Sequence, residues 1–452
     1  MIRRKLMPVL ALVLAAVMLM AGTAFAKNEK ITELDIPATL EDDAAEGTVN
    51  VYHWWTAGGE KDAIEAVIDG FEYYYPDSTA QSNAIPGGAG GAMVMKVKVL
   101  QQAGKSPEAF QAHPGQEIQP YLDGDMLFDL SEVWEYAGIH DRMIAGLDEL
   151  CRASDGNYYI VPIGIHKTNT IFYSIEMFEE YGIEIPDEEN ITWDEFFDIC
   201  DQFQAVLPEG KYAIDLGDRK GWAACQVFED IMMGTDPQIY EDFINGKATA
   251  EQVQQVLDTF SKLMEYVAPD HAAREWYETA GRMVAGDYAM QIMGTWEQPL
   301  MTSLGWEYGK DYGIFNMPGT EGYYGMCIDG FVVPNDSSDV EGGVRWAYIV
   351  SQTDVQEDFS EVKESVSPYT DVEDYVYNDA TLRFKEEMLS DDVTYYPSFT
   401  HGTALPWAAS SDLQTRITDF STSPDPDTAR YAKMITDALT EAGVEGDWSI
   451  VK

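Results

Sequence analysis

The chain has 452 residues, of which 79 are acidic and only 28 are Lys or Arg, giving a formal net charge of −51 at neutral pH. A surface so negative repels phosphate backbones and anionic headgroups, which excludes nucleic acid and acidic membranes as partners. Cys151, Cys200, Cys225 and Cys327 show neither CxxC spacing nor the density of a disulfide scaffold, so packing is their expected role, although an oxidising compartment permits a bridge or two.

In chain order, Arg3, Arg4 and Lys5 precede an apolar run, Leu6 to Met20, that is short for a membrane span, and Ala24-Phe25-Ala26 has the small-x-small form of a cleavage site. A cleavable signal over 1–26 and a periplasmic or extracellular destination are expected. No Cys stands at the cleavage site, so no lipid anchor on a terminal cysteine is expected. Residues 27–46, acidic and poorly periodic, are expected to form a flexible leader. The rest, at roughly 150 residues per domain, allows two or three domains.

Thr48 to Trp55 has the pattern of a strand, and Ile64, Val67, Phe71 and Tyr74 keep helical spacing until Tyr75-Pro76 stops it. Met93, Val97 and Leu100 predict a second helix after the glycine-rich run 87–91. Asp155-Gly156 predicts a turn before a strand over Tyr158 to Pro162. Thr192 and Glu195 form a capping box for a helix carrying Phe196, Phe197 and Ile199. Further helices fit Glu251 to Val267 and Thr428 to Ala442. Strands alternate with helices throughout, which predicts an α/β architecture. The acids are spread among these elements rather than gathered in a tail, consistent either with adaptation to a salty exterior or with solubility alone.

Signatures of catalysis are sparse. Gly104-Lys105-Ser106 resembles the end of a phosphate loop, but Val99 stands where the first glycine belongs. The six histidines include no HExxH pair, and no GxSxG motif occurs. Among 79 acids some glycosidase-like pair always occurs, so that signal carries no weight. No metal or cofactor is expected, and the chain is not expected to be an enzyme. More informative is Trp54-Trp55 at the end of the first strand, followed by Gly58-Gly59 and a helix. This places flat apolar rings at the rim of a sheet, where α/β proteins bind ligands.

An ordered set of short motifs extends this opening along the chain. It comprises Trp54-Trp55 with Gly58-Gly59-Glu60, Gln111-Ala112-His113, Asp155-Gly156-Asn157-Tyr158 through Val161-Pro162, and Ile165-His166. It continues with Thr192-Trp193-Asp194-Glu195-Phe196, Gly286-Asp287-Tyr288 through Gly294-Thr295-Trp296, and Met317-Pro318-Gly319-Thr320. Asp329-Gly330-Phe331, Lys363-Glu364-Ser365 and His401-Gly402 complete it. In these the chain resembles the family 1 extracellular solute-binding proteins of ABC sugar importers, within them the branch that includes bacterial glucose-binding proteins. The resemblance implies a two-lobed periplasmic-binding-protein fold, with lobe one over 47–162 and 330–388 and lobe two over 163–329 and 389–452. It further implies a hinge, an interlobe cleft for a mono- or short oligosaccharide, glucose-like by preference, and delivery by a monomer to ABC permease subunits.

Such a cleft needs flat aromatics beneath a pyranose ring and charged or amide groups at its hydroxyl edge. Trp54, Trp55, Trp276 and Trp296 are the candidate faces. By resemblance Glu60, His113, Asp329, Lys363 and His401 are the candidate edge groups. Strand alternation leaves open that only one of Trp54 and Trp55 meets the cleft. His166 suits either ligand or hinge. Trp134, Trp193 and Trp346 are expected to be structural.

Overall fold

The computed structural model describes residues 28–87, 90–444 and 446; the export signal expected over 1–26 lies outside them. Among the described residues no helix is long and apolar enough to cross a membrane. Two sheets organise the chain, each with its own buried apolar cluster.

The first sheet contains β1 (Gly47–His53), β2 (Ser78–Ala84), β3 (Ala109–Ala112), β4 (Ile160–Lys167), β9 (Tyr323–Val332) and β10 (Thr394–Pro397). β1 runs parallel to both β2 and β3, while β3 and β4 pair antiparallel with β9. The second sheet has the order β6-β7-β5-β8, formed by β5 (Thr170–Ser174), β6 (Tyr212–Asp215), β7 (Tyr288–Ile292) and β8 (Tyr312–Asn316).

Residues 28–46, expected as part of a flexible leader, include instead a short helix, α1 (Ile36–Leu40), whose Ile36, Thr39 and Leu40 are buried. Asp35 caps it through the Ala38 amide, and the Arg345 guanidinium donates to the Thr39 carbonyl. The apolar residues are too few to show periodicity, yet Ile36 and Leu40 join the first core.

The helical periods hold well. α2 (Glu60–Tyr74) buries Ala63, Ile64, Val67 and Phe71, and α3 (Gly91–Gln102) buries Met93, Val94 and Val97. α4 (Trp193–Val206) opens with the Thr192–Glu195 capping box, both halves made. α5 (Trp222–Thr235) is buried almost throughout, so it carries no amphipathic signal. The helices Ala250–Met264 and Thr428–Glu441 lie within two residues or so of expectation at the N-terminus. All four cysteines are buried and unbridged.

The chain passes between the sheets at Thr168-Asn169 and again between β8 and β9. Asn169 joins these two passages: its amide donates to Thr320 Oγ1 at 2.9 Å and to the Tyr323 carbonyl at 3.0 Å, and its Oδ1 accepts from the Gly325 amide at 2.8 Å. The lobe divisions expected at 162/163 and 329/330 fall inside β4 and β9, which pair on both sides of an irregularity between Pro162 and Gly164. β10, expected with lobe two, pairs with β9 in the first sheet. Hydrogen-bond ladders that long are set by non-local pairing, which no local motif announces.

The charge has a measurable consequence. At low ionic strength the screening length reaches about 30 Å, so acids dispersed over the surface repel one another across whole helices. The unfolding temperature should therefore rise as sodium chloride increases from roughly 0.01 to about 1 M, followed by circular dichroism. A flat response would remove salt adaptation as the reason for the acidity.

Candidate functional site

One cavity of about 230 Å³ is lined by all nine residues singled out from the sequence: Trp54, Trp55, Glu60, His113, Trp276, Trp296, Asp329, Lys363 and His401. They come from distant points in the chain. Trp54 and His113 follow the C-terminal ends of the parallel neighbours β1 and β3, which brings their rings to 4.8 Å. Asp329 lies in β9 opposite an irregularity in β4 between Pro162 and Gly164, the kind of bulge that re-aims a strand's side chains. Lys363 ends the helix Thr353–Lys363. On the facing side, Trp276 begins the helix Trp276–Val284, Trp296 sits in the single 3₁₀ turn after β7, and His401 lies in the loop after β10.

Two glycines make room for the aromatic rings. At Gly90, φ is +69° and an added Cβ would come 2.7 Å from the Trp54 ring; at Gly294 it would come 2.4 Å from Trp296. Each indole therefore folds onto bare backbone, which fixes its plane.

Trp55 differs from its neighbour. It is 1% exposed, and its ring packs 5.9 Å from Phe331 and 5.2 Å from Phe359. The in–out alternation of β1 carries on past its end at His53, leaving Trp54 half-buried at the cavity and Trp55 in the core, so Trp55 forms the base of the cavity rather than an open face. Trp193 is half-buried and stacks on Phe197 at 5.5 Å, away from the cavity, and Trp134 and Trp346 are fully buried.

The polar edge is a buried charge cluster. Lys363 Nζ is 3.2 Å from Glu60 Oε1, while Glu60 Oε2 accepts from the Thr56 and Ala57 amides. Asp329 Oδ1 accepts from Gln111 Nε2 at 2.8 Å. Its two oxygens stand 3.8 Å from His113 Nε2 and His166 Nε2, respectively. Burial raises the Asp329 pKa, opposed by His113 and Lys363. Burial alone would lower the pKa of His113, but the Glu117 carboxylate 2.6 Å from Nδ1 and the adjacent Cys327 outweigh it and hold it well above its ordinary value. His166 and His401 are pushed well below theirs, first by burial and then by neighbouring positive charge. The surroundings thus favour the charged form of His113 and the neutral forms of His166 and His401.

Sequence reasoning left His166 undecided; its ring lines the cavity, with Nε2 buried and unpartnered. It missed Trp222, 6.0 Å from both Trp296 and His401, and the rim residues Lys220, Glu275 and Tyr277. Gly221-Trp222 at a helix start echoes the Gly-Gly-Glu opening of α2, a weak signal that could have been noticed. Among the described residues no cluster of His, Cys, Asp or Glu is arranged to hold a metal ion.

A sequence profile of the bacterial extracellular solute-binding proteins matches residues 81–388. The chain belongs to this family. It is 33% identical, over 83% of its length and 84% of the relative's, to an uncharacterised ABC transporter extracellular-binding protein of Pyrococcus horikoshii. It is 26% identical to the xylose/arabinose-binding protein XacG of Haloferax volcanii, covering 79% of this chain and 77% of that one. Among solved structures, the bacterial solute receptor AcbH superposes with a TM-score of 0.74 at 17% identity, over 88% of this chain and 99% of that one. The fold is that of two-lobed binding proteins. This solute-binding protein is accordingly a carrier of its ligand and not an enzyme.

Proposed function

We propose that this solute-binding protein captures a single sugar ring, a glucose-like hexose by preference, between its two sheets and delivers it as a monomer to ABC permease subunits outside the cytoplasm. The observation that carries this reading is the lining itself: the indoles of Trp54, Trp222, Trp276 and Trp296 share one cavity with Asp329, Lys363, Glu60 and three imidazoles. A pyranose has the matching surface, a C–H face and a hydroxyl rim. At about 230 Å³ the cavity lies below the roughly 300–1,000 Å³ usual for drug-sized ligands, which favours one ring over an oligosaccharide.

Calorimetric titration with hexoses, pentoses and a trisaccharide tests this. A hexose should bind and the trisaccharide should bind far more weakly; equal affinity for the trisaccharide would sink the single-ring reading. Because the ligand would touch both sides, bound sugar should favour a compact state. Small-angle scattering should show a smaller radius of gyration on saturation, and an unchanged radius would count against lobe closure.

Trp296→Ala should weaken hexose binding by about 2 kcal/mol, roughly thirtyfold, through lost apolar contact. Trp193→Ala serves as the control: its stack on Phe197 lies outside the cavity, so stability should fall while the folded fraction binds like the parent.

A further inference from the structure

We propose that Ser398, held by Glu229, fixes His401 as a hydrogen-bond acceptor toward the cleft, so that this edge of the site selects a ligand hydroxyl able to donate. The proposal rests on the sugar-binding reading and specifies what one edge of that site accepts.

Glu229 lies in α5, fully buried, and does not line the cavity. Its carboxylate gathers the three residues that precede His401. Oε1 accepts from the Phe399 amide at 2.9 Å and stands 2.6 Å from the Tyr240 hydroxyl, whose single hydrogen is shared with the Pro397 carbonyl at 2.8 Å. Oε2 accepts from the Thr400 amide at 3.0 Å and from Ser398 Oγ at 3.0 Å. The same Ser398 Oγ is 2.9 Å from His401 Nδ1 and also accepts from the His401 amide at 3.1 Å.

A serine hydroxyl has one hydrogen and two lone pairs. With that hydrogen directed at Glu229, Oγ faces His401 only as an acceptor, so the ring proton must be on Nδ1. A neutral imidazole protonated there has a bare lone pair at Nε2, the edge left for the cavity that His401 lines. The imidazolium alternative is disfavoured by burial and by the charge of His113, whose ring centre is 5.7 Å away. The other neighbours of the ring are the indoles of Trp296 and Trp222, at 5.0 and 6.0 Å, which bring no competing charge. A proton on Glu229 Oε2 would reverse the relay. Burial raises this carboxyl's pKa, opposed by the Thr400 and Tyr240 side chains and by the Thr400 and Phe399 amides; with an amide hydrogen already aimed at each oxygen, the geometry favours the ionised form as the acceptor of the Ser398 hydrogen.

The polarity matters for recognition. His113 and Lys363 are donors, Asp329 and Glu60 acceptors, and an acceptor at His401 adds a demand that a fluorine or an ether oxygen in place of the hydroxyl cannot meet.

The direct test is long-range proton–nitrogen correlation on histidine-labelled mature protein, with His401→Ala to assign the signal. In the parent, Nδ1 of His401 should be protonated and Nε2 bare, and Ser398→Ala should move the ring toward the other tautomer. A protonated Nε2 in the parent overturns the proposal. The second arm titrates D-glucose, D-galactose and their monodeoxyfluoro analogues. One fluorinated position should lose roughly tenfold in the parent, from the acceptor left unpaired, and clearly less in His401→Ala. The same loss at every position in both proteins also overturns it. If neither sugar binds, the function proposed above fails, and the tautomer measurement still decides the relay.

Discussion

Replacing Asp329 by alanine should weaken hexose binding by about 3 kcal/mol, on the order of a hundredfold. The carboxylate is the centre of the polar edge: Gln111 holds one oxygen, and His113 and His166 stand 3.8 Å away on either side. Those gaps are too long for direct hydrogen bonds and leave the oxygens free to accept ligand hydroxyls. Charged hydrogen bonds contribute about 1.5–3 kcal/mol each, and losing the acceptor also removes a negative partner of His113. Asp329→Asn keeps the shape and one acceptor, so it should lose less affinity than alanine while changing the ranking among epimers. Titration calorimetry of both variants decides this; parent-like affinity in Asp329→Ala would remove the carboxylate from the site.

Trp55→Ala should act mainly on stability, lowering it by about 3–5 kcal/mol, the range found when a buried Trp or Phe is truncated. The ring is 1% exposed and packs on Phe331 and Phe359, so its removal leaves a cavity beneath the first sheet. Lys363 Nζ sits 5.7 Å above the same ring. Affinity should therefore fall as well, but by less than in Trp296→Ala, once measured on the folded fraction. Urea unfolding followed by titration separates the two quantities. A variant with parent stability and strongly weakened binding would mean that Trp55 is an open face of the site.

The contrast between these two tryptophans shows where sequence reasoning reached its limit. The motif Trp54-Trp55 pointed to the cavity, and both residues line it. Which ring opens to the cavity depended on the register of β1 against β2 and β3, a choice made by pairing with segments dozens of residues away. Trp222 went unnoticed for a related reason. Its helix is buried nearly all round, so it shows no polar face to set its ring apart from ordinary core.

The elements visible in the sequence were those whose determinants are local. Helix α2 follows from 3.6-residue apolar spacing, and α4 follows from a capping box in which Thr192 and Glu195 satisfy each other's backbone donors. Composition by itself determined the strongly negative surface, and the ordered motifs determined the family. Tertiary structure alone decided how α1 docks, where the chain crosses between sheets, and that Asn169 ties two crossings together. It also decided the protonation pattern of the site. His113, His166 and His401 are the same residue type in the sequence, and only the Glu117 carboxylate beside the first and the dry surroundings of the others move their pKa values apart. Local spacing sets a backbone's shape because its forces act within a turn or two. Burial and charge coupling act between residues that only the fold makes neighbours.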